Sequence, residues 1–209
     1  MSVTPDLFEA PRQLEPLAVP DADLRFMHAF YPPDECAALF ATLMAETPWR
    51  QERIEVWGKV HDQPRLTSWH GDAGTRYTYS GITLDTCPWT PTLTRLRQDV
   101  EAATGQRYNS VLLNLYRDRH DSVGWHSDNE RELGGEPVIA SLSFGATRSF
   151  RLRHRERLHA PVNISLTDGS LLLMAGAMQR HWQHAVPKES REKGPRINLT
   201  FRRIQPRPG

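Results

Sequence analysis

The residues of this chain best suited to chemistry are His126 and Asp128 in a His-x-Asp arrangement, a later histidine at His184, and an arginine at Arg196. Two imidazoles and one carboxylate form the facial set that holds non-haem Fe(II) and leaves coordination positions open. An arginine twelve residues beyond the second histidine suits a dicarboxylate co-substrate. The chemistry implied is oxygen activation at iron. His-x-Asp alone also fits a polar surface turn, since Trp125-His126-Ser127-Asp128-Asn129-Glu130 is rich in turn formers. Order and spacing favour the site: a His-x-Asp, a histidine 58 residues on, then an arginine-bearing strand.

Those residues need strands to position them, and alternate side chains of a strand share a face. Over 113–116 the rule groups Asn114 with Tyr116. Over 196–202 it groups Arg196, Asn198, Thr200 and Arg202 opposite Ile197, Leu199 and Phe201. Such polar faces are costly inside a barrel unless they are paired or bind a polar ligand. A dicarboxylate would answer two arginines at once. His181 and His184 compete for the third metal position; if 180–184 is a strand they face opposite sides, so only one reaches the metal.

The remaining elements frame this core. Residues 1–23, with Pro5, Pro11, Pro16 and Pro20, have no period and are expected to be an irregular lead-in. Pro32-Pro33-Asp34 opens a helix to about Ala45, with Cys36, Leu39, Phe40, Leu43 and Met44 at helical spacing. A second helix begins at Thr90-Pro91, carries Leu93, Leu96, Val100 and Ala103 on one stripe and ends at Gly105. After Gly105 the pattern predicts strands over 108–116, 138–144, 149–153, 162–166, 170–175, 182–186 and 197–203. A mixed α+β class follows, mainly β in its C-terminal half: a sandwich or jelly roll with supporting helices outside.

At 209 residues the chain fits one domain. Its net charge of +1 is uneven: residues 1–24 hold five acids against Arg12, and residues 186–209 hold seven basic side chains against Glu189 and Glu192. The basic end is the candidate surface for an anionic partner. Cys36 and Cys87 offer neither a zinc knuckle nor a disulfide framework. The longest apolar stretch, Leu171 to Met178, falls far short of the roughly 20 residues that span a bilayer. A cytoplasmic, monomeric protein with no membrane partner is expected.

Four segments together resemble the AlkB family of Fe(II)/2-oxoglutarate dioxygenases, closest to its second and third animal homologues: Asn109 to Arg117, Asp121 to Asp128, Ile139 to Arg148 and Arg196 to Arg202. The resemblance covers roughly residues 50–204. It implies a double-stranded β-helix in one domain over 24–209, with a nucleotide-recognition lid at about 50–82. It implies Fe(II) held by His126, Asp128 and His184, which selects His184 over His181, and 2-oxoglutarate held by Arg196 and Tyr116 with Asn114, Asn198 and Arg202 nearby. O2 is the implied co-substrate. Alkylated DNA, single- or double-stranded, or RNA is the implied partner, with 1-methyladenine and 3-methylcytosine as lesions. Trp69, His70 and Tyr79 match the lid, Tyr79 as the aromatic that stacks the flipped base, and Glu130 matches an acid that contacts its exocyclic amine. Trp57 sits where a homologue carries an aromatic finger. Asn129 departs from the acid those homologues carry beside the metal aspartate.

For the phosphate backbone, alternation gives Arg151, Arg153, Arg155 and Arg157 one common strand face, either a phosphate contact or a solvated outer face. Lys188, Arg191 and Lys193 lie in the loop between His184 and Arg196. Rival readings are an oxygenase of the same fold acting on RNA marks or on protein, and a catalytically silent nucleic-acid-binding module.

Overall fold

The structure, a computed structural model, describes residues 13–56, 59–79 and 82–205, with the side chains of 54–56, 59, 76–79 and 82–85 outside that description. Along the chain run β1 (Glu15–Leu17), β2 (Asp23–Met27), α1 (Pro33–Glu46), β3 (Arg53–Val56), β4 (Lys59–Asp62), β5 (Leu66–Gly71), β6 (Arg76–Tyr79), β7 (Ile82–Asp85) and α2 (Pro91–Thr104). The second half holds β8 (Ser110–Tyr116), β9 (Val123–His126), β10 (Ile139–Gly145), β11 (Arg148–His154), β12 (Val162–Leu166), β13 (Leu171–Ala175), a one-turn α3 (Met178–His181), β14 (Trp182–Val186) and β15 (Arg196–Arg202).

A seven-stranded sheet in the order β1-β2-β13-β10-β15-β8-β5 faces a four-stranded sheet in the order β12-β11-β14-β9. Every pairing in the two sheets is antiparallel. This is the expected jelly-roll arrangement. The pairs β3-β4 and β6-β7 form separate two-stranded ribbons within the region assigned to the lid.

The large sheet has two chemically different faces. Val111, Leu113, Leu115, Ala140, Leu142, Phe144, Ile197, Leu199 and Phe201 pack outward onto Leu39 and Leu43 of α1 and Leu93, Leu96 and Val100 of α2. Each fully buried leucine contributes about 1.5–3 kcal/mol, so the helices are fastened by their apolar stripes. Local signals set the helix ends. Pro33 starts α1 with Asp34 and Glu35 in its first turn. The Thr90 hydroxyl accepts from the Leu93 amide at 3.1 Å, and Gly105 closes α2 at φ 66°. The opposite, inner face carries the polar residues and looks toward the small sheet.

Gly145 ends β10 opposite Arg196 at φ 87°, where an added Cβ would lie 2.5 Å from the Pro195 carbonyl. Only glycine lets the two backbones pass there.

Two expectations about elements need correction. The lead-in is not irregular throughout: Glu15–Leu17 pairs with Leu24–Phe26 at the edge of the large sheet. Three residues are too few to show a period, and Pro16 is tolerated because the strand is an edge. Residues 180 and 181 belong to α3 and not to a strand, so strand alternation does not separate His181 from His184.

Candidate metal centre and co-substrate pocket

His126 is the last residue of β9 and lies directly across from His184 of β14. Asp128 follows in a turn held at both ends. Its backbone amide donates to the Gln179 side-chain oxygen at 2.9 Å, and the neighbouring Ser127 hydroxyl donates to the Trp182 carbonyl at 2.8 Å. His126, Asp128 and His184 place one ligand atom each within 4.8 Å of the others. His126 Nδ1 lies 2.8 Å from the Gly124 carbonyl, which fixes the proton there and frees Nε2, 3.7 Å from Asp128 Oδ1. His184 stacks on Phe150 at 5.1 Å.

The electrostatics suit a cation. Burial alone would raise the Asp128 carboxyl, but Arg202, His184 and His126 override it and hold the group well below the ordinary carboxylate range. Arg202 donates to Asp128 Oδ2 at 2.8 Å, which leaves Oδ1 buried with no hydrogen-bond partner among the described residues. His184 is pushed down to about 3, first by burial and then by His126, and so stays neutral. A buried carboxylate oxygen without a donor beside two imidazole nitrogens is a donor set that fits Fe(II).

Arg196 lies at another part of the same cavity. It is 1% exposed, sits 5.2 Å over the Tyr116 ring and donates to Ser143 Oγ at 2.9 Å. Among the described residues its Nε and Nη1 are buried without hydrogen-bond partners, and no carboxylate pairs with it. Burial pushes its pKa down to about 10. The cavity between this guanidinium and the triad is lined by Asn114, Tyr116, Ser141, Thr200 and Arg65, among others.

The other site expectations divide. Asn114, Tyr116, Asn198 and Arg202 all line the cavity. The Asn198 amide is nevertheless committed within the protein, donating to Ser141 and the Leu142 carbonyl and accepting from Thr200. His70 is a correction: it is 2% exposed, points to the helix side, and bonds to Ser68 Oγ at 3.0 Å and the Pro88 carbonyl at 2.7 Å. Strand alternation places it opposite Thr67 and Trp69. Trp69 does face inward but is buried against Leu112, Leu133 and Ile204, with Arg202 6.0 Å over its ring. It supports Arg202 and offers no free stacking surface. Glu130 is half-buried at the start of the 3-10 turn Arg131–Leu133, outside the cavity lining. Tyr79 ends β6, with its side chain outside the description, and Trp57 lies outside the described residues.

Among the backbone candidates, Arg151 and Arg153 are exposed on the face of β11 opposite Phe150 and Leu152, hence away from the metal centre. Arg153 bonds to Gln183 and lies 4.4 Å over the exposed Trp125 ring. The expected four-arginine row stops early, because β11 ends at His154, Arg155 donates to Ser127 and Arg157 turns the chain at φ 57°. Lys188 and Arg191 are exposed in their loop and Lys193 is half-buried.

Sequence reasoning gave no role to Arg65, Gln179 or Arg148. Arg65 is 4% exposed and donates to Asn114 Oδ1 at 2.7 Å; its alternation with Thr67 and Trp69 is the signal that could have found it. Arg148 is fully buried and donates to the carbonyls of Asp118, Asp121 and Pro187, tying together the loops behind Tyr116.

A family model described as 2OG-Fe(II) oxygenase superfamily matches residues 23–202. The chain is 46% identical to alpha-ketoglutarate-dependent dioxygenase alkB homolog 3 of Bos taurus over 83% of its own length and 63% of the relative. It is 45% identical to DNA oxidative demethylase ALKBH2 of Mus musculus over 74% of its length and 67% of that protein. The chain thus spans less than two thirds of the first of these relatives. A solved structure, "The structure of OsALKBH1", superposes with TM-score 0.61 at 15% identity, covering 86% of this chain and 96% of the other, which speaks for the fold alone.

Proposed function

We propose that this chain, which belongs to the AlkB family within the 2OG-Fe(II) oxygenase superfamily, oxidatively demethylates alkylated bases in DNA or RNA, of the 1-methyladenine and 3-methylcytosine type. 2-Oxoglutarate and O2 would be converted to succinate and CO2, with formaldehyde released from the base. The observation that carries the reading is Arg196: a fully buried guanidinium beside Tyr116, with two nitrogens that meet no well-aligned acceptor among the described residues, in the cavity that also holds the triad. A buried unpaired cation is costly and needs an anion.

Fe(II), which His126, Asp128 and His184 would hold, would supply the oxygen activation needed to oxidise the N-methyl carbon to formaldehyde. The protein's own task is placement. Arg196, packed on Tyr116 and bonded to Ser143, takes the distal carboxylate of the co-substrate. Arg65 fixes the Asn114 amide, and Arg202 holds Asp128 through Oδ2, which leaves Oδ1 to serve as the ligand atom that would hold Fe(II). Of the triad, only the His126 side chain has appreciable exposure, at 26% against 1% for Asp128. It is therefore the ligand that a flipped base would meet.

Lys188, Arg191 and Lys193 are assigned to phosphate. Replacing all three with alanine should flatten the salt dependence of oligonucleotide binding by about two in log-log slope. An unchanged slope would remove that role. Two free cysteines, one of them buried, support a reducing, cytoplasmic setting, and a monomer is proposed with it. Fractionation and gel filtration test both.

The deciding assay supplies Fe(II), 2-oxoglutarate and methylated oligonucleotides, and measures formaldehyde, succinate and restored base. Equal yields are expected. Succinate production without demethylation of any single-stranded, duplex or RNA substrate would leave the oxygenase and sink the nucleic-acid reading.

A further inference from the structure

A second cluster of metal-ligating side chains lies away from the cavity. His154 ends β11, His159 sits in the turn before β12, and Asp21 occupies the β1–β2 turn at φ 55°. Asp21 Oδ2 is 3.2 Å from His159 Nε2 and 3.6 Å from His154 Nε2, and the three ligand atoms lie within 4.8 Å of one another. His154 is 3% exposed, and its Nε2 has no hydrogen-bond partner among the described residues. It is a buried nitrogen 3.6 Å from the Asp21 carboxylate, within ion-pair reach but beyond hydrogen-bond distance.

Those separations have a simple reading. A tetrahedral ion with bonds of about 2.1 Å sets its ligands about 3.4 Å apart. The two edges that meet at Asp21 bracket that value, and the third lies within 4.8 Å. Trp182 backs the cluster: it lies across from His154 in the sheet, its ring is 5.2 Å from His154 and 6.2 Å from His159, and its Nε1 donates to the Pro20 carbonyl. The cluster therefore joins the N-terminal turn of the large sheet to the far end of the small one.

We propose that Asp21, His154 and His159 bind a divalent transition ion, with zinc the best fit to two imidazoles and a carboxylate and water in the fourth position. The ion clips the two sheets together and takes no part in oxidation. Binding through His154 Nε2 moves the ring proton to Nδ1 and replaces the 3.3 Å contact that Nδ1 now accepts from the Glu156 amide.

The test is a metal count on the whole chain after dialysis against Zn(II), with binding isotherms and thermal melts. Because zinc also enters the triad, His126→Ala removes that site from the count. Wild type should hold two ions, His126→Ala one, His159→Gln one, and the double variant none. Asp21→Asn should weaken the second ion at least tenfold. His159 and Asp21 are partly exposed, so their variants should fold, which a cooperative melt in metal-free buffer checks. In His126→Ala, saturating zinc should raise Tm by about 5 °C, and the gain should vanish on adding His159→Gln. A wild-type count of one, or a count of two that survives His159→Gln, would overturn the site. Demethylation by His159→Gln should match wild type.

Discussion

Arg196→Met should stabilise the metal-free protein while disabling its response to 2-oxoglutarate. Burial lowers the Arg196 pKa to about 10. For a base this means the folded state disfavours the charged form, so the penalty is fully present at neutral pH and is relieved only above about pH 10. At about 1.4 kcal/mol per pH unit, the drop corresponds to an upper bound of about 3 kcal/mol. The variant also gives up the Tyr116 contact at 5.2 Å and the Ser143 bond, together worth about 2 kcal/mol. A net gain of about 1 kcal/mol remains, or roughly 2–4 °C in Tm for a chain of this size. Thermal melts of chelated protein read that term directly. Melts with Mn(II) and 2-oxoglutarate read the other: wild type should gain several degrees and the variant almost none, with the KM for 2-oxoglutarate rising about a hundredfold. A variant that melts several degrees lower without ligand, yet keeps the full 2-oxoglutarate shift, would refute both the unanswered guanidinium and its assignment.

Asp128→Ala should abolish turnover and also cost about 3–5 kcal/mol, because it removes the carboxylate that faces buried Arg202. Asp128→Ala combined with Arg202→Met should regain most of that stability with no activity, as chemical denaturation would show. His70→Leu should lower Tm by roughly 4–9 °C through the orphaned Pro88 carbonyl and Ser68, with kcat and the KM for oligonucleotide unchanged; a KM rise would return His70 to the substrate surface. Burial keeps His184 neutral down to about pH 3, whereas the unfolded chain protonates it near pH 6.5. Metal-free wild type should therefore lose up to about 1.4 kcal/mol per pH unit between pH 6 and 4 from this group, and His184→Gln should flatten that limb. Equal slopes in the two proteins would count against the buried neutral imidazole.

What could be read from the sequence and what could not follow a physical division. Strands β8 and β15 were legible because their apolar positions, Leu113, Leu115, Ile197, Leu199 and Phe201, must meet the helices while the alternate positions face elsewhere. Helices α1 and α2 were legible from stripes and caps. The one-turn α3 and the three-residue β1 are shorter than any period, and the β3-β4 and β6-β7 ribbons stand apart from both large sheets. Contacts that orient the site were illegible for a different reason. Arg65 reaches Asn114 across 49 residues, Gln179 reaches the Asp128 amide across 51, and Arg202 reaches the Asp128 carboxylate across 74. No local pattern encodes a partner that far away.

Alternation therefore located the polar face but did not rank its members. Asn198 and Arg196 are two residues apart on one strand, share that face and line the same cavity. The Asn198 amide is satisfied at both ends by Ser141, Leu142 and Thr200, so its polarity belongs to the fold. Arg196 keeps two buried nitrogens without a hydrogen-bond partner among the described residues. A polar group that violates the packing rule and finds no partner within the chain points to a ligand. By the same criterion Asp128 Oδ1 points to a cation, and together they give the cavity one negative and one positive demand. A metal ion together with an anionic co-substrate would satisfy both, which neither an isolated metal nor an isolated dicarboxylate would do.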